Sequence, residues 1–369
     1  MQVGLIAAVA IFVAFIVANL SANLERLNIA VGFGFLQRTA GFDIAQSLIP
    51  YPPSATYLRA FLAAFANTVL LAVVSISAAT VLGLFIALAR MSTNPLLSLV
   101  ALGYIEAVRN IPLLLQLFFW YFSVLGPLPL PRQSFDLFGL VFLNKRGLSL
   151  PAPVAGPGFS VFLFVAAAAL LAAWFLFRRA RLNRIRSGRS SIALLATAIA
   201  CIAVPLLHVL LGSPVSWEIP ELRGLNLAGG VVVIPEFVAM AIGMTVYGSA
   251  FIAELIRGGV MTVGKGQTEA GMALGLSRAR IYSKIIIPQV FRAIVPPLTG
   301  QYITLLKNSS LAAAIGYPDL MLIVAGTTLN QTGQPVEVMA IAMASYLLLN
   351  VLISLGGNVV NKRMQLVER

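Results

Sequence analysis

Residues 266–288 read GQTEAGMALGLSRARIYSKIIIP, a polar and basic island between two long apolar stretches. The run from Thr268 to Tyr282 has helical character. Thr268 can cap a helix there, and Glu269 in a first turn suits the positive end of the helix dipole. Ala270, Ala273 and Leu274, with Leu276 and Ile281, recur near helical spacing and leave a basic edge of Arg278, Arg280 and Lys284. Gly275 permits a close backbone approach or ends the first helix with a positive φ. Pro288 stands near the start of the next apolar run. The island therefore reads as a short helical element held between two membrane spans.

Composition supports the spans. The chain has 369 residues, 59% hydrophobic and 10% charged, against roughly 25% charge in a soluble domain. So apolar a chain cannot hide its surface in one aqueous core, and the bilayer must be its solvent. The net charge of +13 is explained by basic loops retained in the cytosol rather than by nucleic acid.

A span needs roughly 20 mainly apolar residues. Candidate spans lie at about 3–20, 59–89, 96–125, 159–177, 191–212, 232–256, 285–306 and 336–360. This predicts an all-α polytopic membrane protein of about eight transmembrane helices. The run from Val3, with no basic residue before it, reads as an uncleaved first span; its abrupt start leaves open whether the natural N-terminus is complete. The second and third runs exceed a span, and Asn110-Ile111-Pro112 is a candidate break. Six arginines fall within residues 178–189 and should stay cytosolic. Counting outward, Arg90, Lys265, Arg278 and the tail at 361–369 fall on the same side, so both termini are expected inside. Residues 21–58 read as an external segment on the membrane surface. Residues 126–158, rich in Pro and Gly, read as an irregular external loop.

Enzyme chemistry finds little support. Cys201 and His208 are the only residues of their kinds, so a disulfide framework or Cys-based metal site is excluded. Residues 259–266 match Gly-x4-Gly-Lys, the start of a phosphate-cradling loop. The next residue should be Ser or Thr to hold Mg²⁺, yet it is Gly266, and a span rather than a strand precedes the motif. No catalytic constellation and no metal site is expected.

The spacing of Glu269, Ala270 and Gly271, then Gly275, then Ile285, Ile287 and Pro288, resembles the EAA loop of ABC importer permeases. Gly271 stands where that family has a second Ala; a small residue is retained. The stretch 106–119 (EAVRNIPLLLQLFF), Ala253 to Gly259, and Pro296-Pro297-Leu298 with Gln301 and 305–311 (LLKNSSL) resemble polar amino-acid ABC permeases. Matching stretches run from Asn67 to about 360, with an apparent insertion near 127–230. With its extra N-terminal span, the chain is similar to the long permease subunits of general L-amino-acid importers.

The resemblance implies a type I importer with a five-helix core. An extra N-terminal helix and external segment would occupy 1–58. The transmembrane domain would span 59–360, with two further helices in the insertion. It implies a bacterial inner-membrane location and coupling to an ATPase dimer through Glu269, Ala270, Gly271, Gly275, Leu276 and Ser277. ATP and Mg²⁺ would sit in the ATPase, and this chain would bind no cofactor. Other implied partners are a second homologous permease, expected to form a heterodimer, a periplasmic amino-acid-binding protein and membrane lipid; nucleic acid is not a partner. The alternatives are an ion-gradient-driven secondary transporter of small polar solutes, which wants midplane acids and inverted repeats, and a membrane scaffold. Gln116, Asn308 and Ser309 can offer neutral hydrogen bonds along a substrate path, and Lys307 can attract a carboxylate. Glu106 and Arg109, three apart, can pair on one helix face and gate or position the chain; Glu254 and Arg257 can brace the loop.

Overall fold

The computed structural model describes residues 2–27, 31–156, 158–187 and 215–364. In chain order the elements are α1 (Gln2–Arg26), α2 (Tyr57–Arg90), α3 (Pro95–Asn110) and α4 (Leu113–Phe118), then β1 (Phe135–Leu137), β2 (Val141–Asn144), β3 (Gly147–Leu150) and β4 (Ala152–Ala155). The helix α5 (Phe159–Ser187) is followed by β5 (Val215–Glu218), β6 (Glu221–Arg223), β7 (Asn226–Ala228) and β8 (Val231–Val233). Then come α6 (Pro235–Met261), α7 (Lys265–Ala273), α8 (Arg278–Ile281), α9 (Ile287–Asn308), α10 (Leu329–Thr332) and α11 (Pro335–Met364). They form two compact units, Met1–Pro127 with Ile234–Arg369, and Leu128–Val233.

The larger unit is helical. Among the described residues α1, α2, α6 and α11 are long and apolar enough to cross a membrane, and α3 with Leu113–Leu125 makes a further, broken span. The expected run at 285–306 is helical as α9, but Gln289, Arg292, Gln301 and Lys307 lower its mean hydropathy and it is not among these. In α5 the apolar part is a shorter stretch, Phe159–Phe175. The run at 191–212 lies outside the described residues.

Small residues set the helix packing. Ala60, Ala63, Ala64, Ala79 and Ala87 on α2 are fully buried, and α2 packs along α6. A Cβ on Gly83 would come within 2.9 Å of Ile252. In lipid, helices gain association energy from such close approach, since the apolar solvent supplies no hydrophobic drive.

The break between α3 and α4 turns the chain by 103°. Ile111, before Pro112, is extended at φ −96°, ψ 125°, as the proline ring requires of its predecessor. The amide of Gln116 donates to the carbonyls of Val108 and Ile111, both at 2.9 Å, and so satisfies groups that the break would orphan.

The segment after α1 differs from the expected surface layer. Phe35, Ala40 and Ile44 are buried in one core with Tyr57, Ala60, Leu320 and Val338. Aromatic and aliphatic side chains at these positions find enough helix surface to bury against, which a membrane-surface strip would not provide. Polar bonds pin the segment: Asn67 Nδ2 donates to the carbonyls of Gln46 (2.6 Å) and Pro318 (2.9 Å), and Ile234 N–H donates to Gln46 Oε1 at 3.1 Å. The Tyr51 hydroxyl is buried without a partner. Burial first, then Asp43 and Tyr57, push its phenol pKa up.

The smaller unit corrects the expectation of an irregular loop at 126–158. It holds a four-stranded antiparallel sheet in the order β1-β2-β3-β8 and two two-stranded ribbons, β4-β5 and β6-β7. Pairs such as Leu148↔Val233 and Ala152↔Glu218 join strands across the insertion. The chain therefore leaves at Ala155 and returns at Val215 on one ribbon.

Candidate functional site

The island around Glu269 is built by two short helices crossing at a glycine. A residue in β conformation, Gly264, precedes α7. Thr268 is thus interior to α7 rather than its cap, and Glu269 lies beyond the first turn. The helix starts earlier than expected because the backbone at Gly264 turns in directly after α6. Of the two roles open to Gly275, the helix stop is the one observed. Gly275 has φ +70°. Leu276 N–H donates to Gly271 O at 3.1 Å and Gly275 N–H to Met272 O at 2.9 Å, the paired bonds of a Schellman stop. Ser277 then opens α8 with an extended backbone and no side-chain cap bond.

Gly271 is buried where α7 meets α8. A Cβ there would lie 2.8 Å from Ile281 Cγ1, and Ile281 is fully buried. Ile281, Ile286, Val290 and Ile294 form one cluster, against which Ile256, Val260 and Leu276 pack. The knuckle is thus mounted on the ends of α6 and α9. Outward it presents Leu274, 77% exposed, and Met272, 48% exposed. Glu269, Ala270, Ser277, Arg278, Arg280 and Lys284 rim this apolar centre, all exposed. An apolar centre with a charged rim is the anatomy of a protein-docking surface.

Above the knuckle, Glu254 and Arg257 form an ion pair one turn apart on α6, with Arg257 Nε at 3.1 and 3.0 Å from the two carboxylate oxygens. Glu106 and Arg109 do not pair. Arg109 instead lies over the Phe251 ring, 5.2 Å from its centroid, because the packing of α3 on α6 offers an aromatic face. Tyr104, which the sequence did not single out, bonds Ser249 Oγ at 2.7 Å and Val246 O at 3.0 Å, tying α3 to α6.

Of the four substrate-path candidates, α4, which carries Gln116, lies beside the 3-10 stretch Ser309–Ile315. Both Gln116 amide hydrogens serve the bend, and Ser309 Oγ donates to Leu306 O at 2.7 Å. Lys307 is exposed and Asn308 half-buried. Gln116→Leu is therefore expected to destabilise the chain by about 1–3 kcal/mol through two stranded carbonyls. Thermal unfolding of the detergent-solubilised variant checks this, and an unchanged midpoint with altered substrate selectivity would instead make Gln116 a substrate contact.

The helical unit thus combines a broken span with an exposed apolar knuckle on the loop between α6 and α9. The chain belongs to the family described as binding-protein-dependent transport system inner membrane component, whose model matches residues 79–366. It is therefore a multi-pass inner-membrane protein. It is similar to the YhdX protein of Escherichia coli (strain K12), 46% identical over 369 residues, 100% of this chain and 94% of that protein. It is 42% identical to AapQ, a general L-amino acid transport system permease protein of Rhizobium johnstonii, over 97% of this chain and 90% of that protein. To BztB of Rhodobacter capsulatus, a glutamate/glutamine/aspartate/asparagine transport system permease protein, it is 34% identical over 95% of this chain and 89% of that one.

Proposed function

We propose that this chain is one permease subunit of an ATP-driven, binding-protein-dependent importer that carries L-amino acids across a bacterial inner membrane. The observation that carries this reading is the knuckle at 266–288: a helix stopped at Gly275, locked against Ile281 and presenting exposed Leu274 and Met272. An ATPase dimer, holding ATP and Mg²⁺, docks there, and its closure moves α6 and α9 through the Ile281 cluster. A second homologous permease subunit, as a heterodimer partner, completes the pathway, and a periplasmic binding protein delivers the cargo. The cargo class is supported by the names that AapQ and BztB carry and by the stretches at 106–119, 253–259 and 296–311. The arginine cluster at 178–189 favours a cytosolic position for both termini and for the knuckle. Residues 1–58 add an N-terminal helix and external segment to a transmembrane domain at 59–360. Lys307 and Asn308 are the remaining substrate-path candidates, and the Glu254–Arg257 pair braces the loop.

The test is purification with the ATPase. Leu274→Asp puts a charge at the centre of the apolar patch and touches no core residue. It is expected to leave the chain in the membrane and weaken ATPase retention by roughly tenfold or more, the loss typical of an interface anchor. Stoichiometric ATPase and unchanged ATP-driven uptake in this variant would sink the reading.

A further inference from the structure

The four-stranded sheet of the smaller unit is inverted relative to an ordinary half-buried sheet. Cross-strand partners share a face. On β1 and β2 one face carries Phe135, Leu137, Val141 and Leu143, and β3 and β8 continue it with Leu148 and Val231. Leu150 and Val233 complete it, so every side chain on this face is apolar. The other face holds Asp136, Asn144 and Ser149 with Phe142, Gly147 and Val232, and of these Asn144 and Ser149 are only 2% exposed. A half-buried antiparallel sheet turns its apolar face to the core and its polar face to water. Here Asn144 and Ser149 are covered at the sheet's centre, while Phe135, Leu137 and Val231 on the apolar face are about half exposed (57%, 48% and 49%), and Val232 is the exposed apolar residue at the edge of the other face (45%). At the β1–β2 tip, Phe138 has φ +61° and is 95% exposed, in a turn position usually filled by Asn, Asp or Gly.

What covers this face follows from where the sheet is anchored. Directly after β3 comes the strand β4, and α5 is the next element in the chain. Pairing of β4 with β5 brings the returning chain to the same ribbon. The sheet thus sits at the mouth of the insertion, where α5 begins. Outward, α5 presents Leu163, Phe164, Leu170 and Trp174, each more than half exposed. Its apolar stretch, Phe159–Phe175, is about 25 Å long at 1.5 Å per residue, most of the hydrocarbon thickness of a bilayer. The apolar sheet face is continuous along the chain with this exposed apolar helix. Exposed Trp217 on β5 suits the headgroup level, and exposed Lys145 and Arg146 in the β2–β3 turn match phospholipid phosphates in charge. A binding protein that docks and leaves needs polar contacts in its interface, and this face offers no polar side chain.

We infer that the β1-β2-β3-β8 sheet lies flat on the bilayer, its apolar face and the Phe138 tip set into the leaflet at which α5 begins. Full-length chain with Cys201→Ser, carrying Leu137→Cys or Val231→Cys on the apolar face or Val232→Cys on the opposite face, is labelled with a polarity-sensitive fluorophore. Each variant is reconstituted in vesicles of phosphatidylethanolamine and phosphatidylglycerol. Nitroxide lipids labelled near the headgroup should quench the probes at 137 and 231 by roughly threefold more than that at 232, as expected for an interfacial face sunk into the headgroup region; aqueous iodide should do the reverse. Equal iodide quenching at all three positions would overturn the inference. So would shielding of 137 and 231 from both quenchers, which would mark a protein partner or a second copy as the cover. If Leu137→Cys fails to insert, Val231→Cys on the opposite edge strand carries the test.

Discussion

Gly271→Leu should abolish ATP-driven uptake while the chain remains in the membrane. The position has no room: a single added Cβ would lie 2.8 Å from Ile281 Cγ1 and 3.0 Å from Cδ1. Ile281 cannot simply withdraw, because it is fully buried in the cluster that mounts the knuckle on α6 and α9. Overpacking of this kind costs about 1–3 kcal/mol. At a coupling surface, a shift of that size changes the population of the docked geometry by roughly 5–150-fold. Gly271→Ala adds only the Cβ, so its loss should be smaller, and Ile281→Val, which removes the Cδ1 contact at 3.0 Å but keeps the Cγ atoms, should rescue it only in part. Uptake into vesicles containing the assembled importer, with ATP hydrolysis followed in parallel, provides the measurement. Full uptake with leucine at 271 would show that the α7–α8 crossing does not transmit the ATPase motion. Gly275 acts differently. A Cβ there meets nothing within 4 Å, but φ is +70°, so any substitution acts through backbone strain at the helix stop.

The largest loss of stability is expected from Asn67→Ala. Asn67 is fully buried on α2, and its amide is the shared donor for Gln46 O and Pro318 O. The same stretch of α2 accepts Tyr317 Oη at the Asn67 carbonyl (3.2 Å) and Leu320 N–H at Thr68 Oγ1 (3.0 Å). Four contacts thus hold the segment after α1 and the turn before α10 against one helix. Truncation leaves two carbonyls without a donor, one of them on a buried residue, at a cost of roughly 2–4 kcal/mol. Thr68→Val, which removes the acceptor for a single N–H, should cost about half as much. The thermal midpoint of purified chain in detergent distinguishes them. A smaller drop for Asn67→Ala than for Thr68→Val would mean that Asn67 is not the hub of this corner.

Asn67 was legible only as a polar residue in an apolar run, and nothing local identifies its partners, which lie 21 and 251 positions away. Gln116 illustrates the opposite case. Its amide in an apolar stretch invites a role toward substrate, yet both of its hydrogens are taken by backbone carbonyls that the Pro112 break exposes. The break was readable and the consequence for Gln116 was not, because the 103° turn decides which carbonyls come within its reach. The strands of the smaller unit are three or four residues long, too short for alternation to stand out among prolines and glycines. Their pairing of 147–150 with 231–233 is a long-range event that no local window contains.

By itself the sequence determined what depends on solvent and on local backbone chemistry. The apolar runs required a bilayer, the proline after Ile111 marked a candidate break, and the glycine at 275 allowed a helix stop with positive φ, both of which the fold uses. The spacing of the polar island carried its resemblance to a coupling loop. Only the tertiary structure decided which small residue the island cannot change, since the need for glycine at 271 comes from Ile281 crossing it rather than from its own φ. Tertiary packing also left Glu106 and Arg109 unpaired, set Arg109 over Phe251, and turned the apolar face of a sheet outward. Each of these depends on the approach of segments distant in the chain, and close packing rather than local preference selects the outcome.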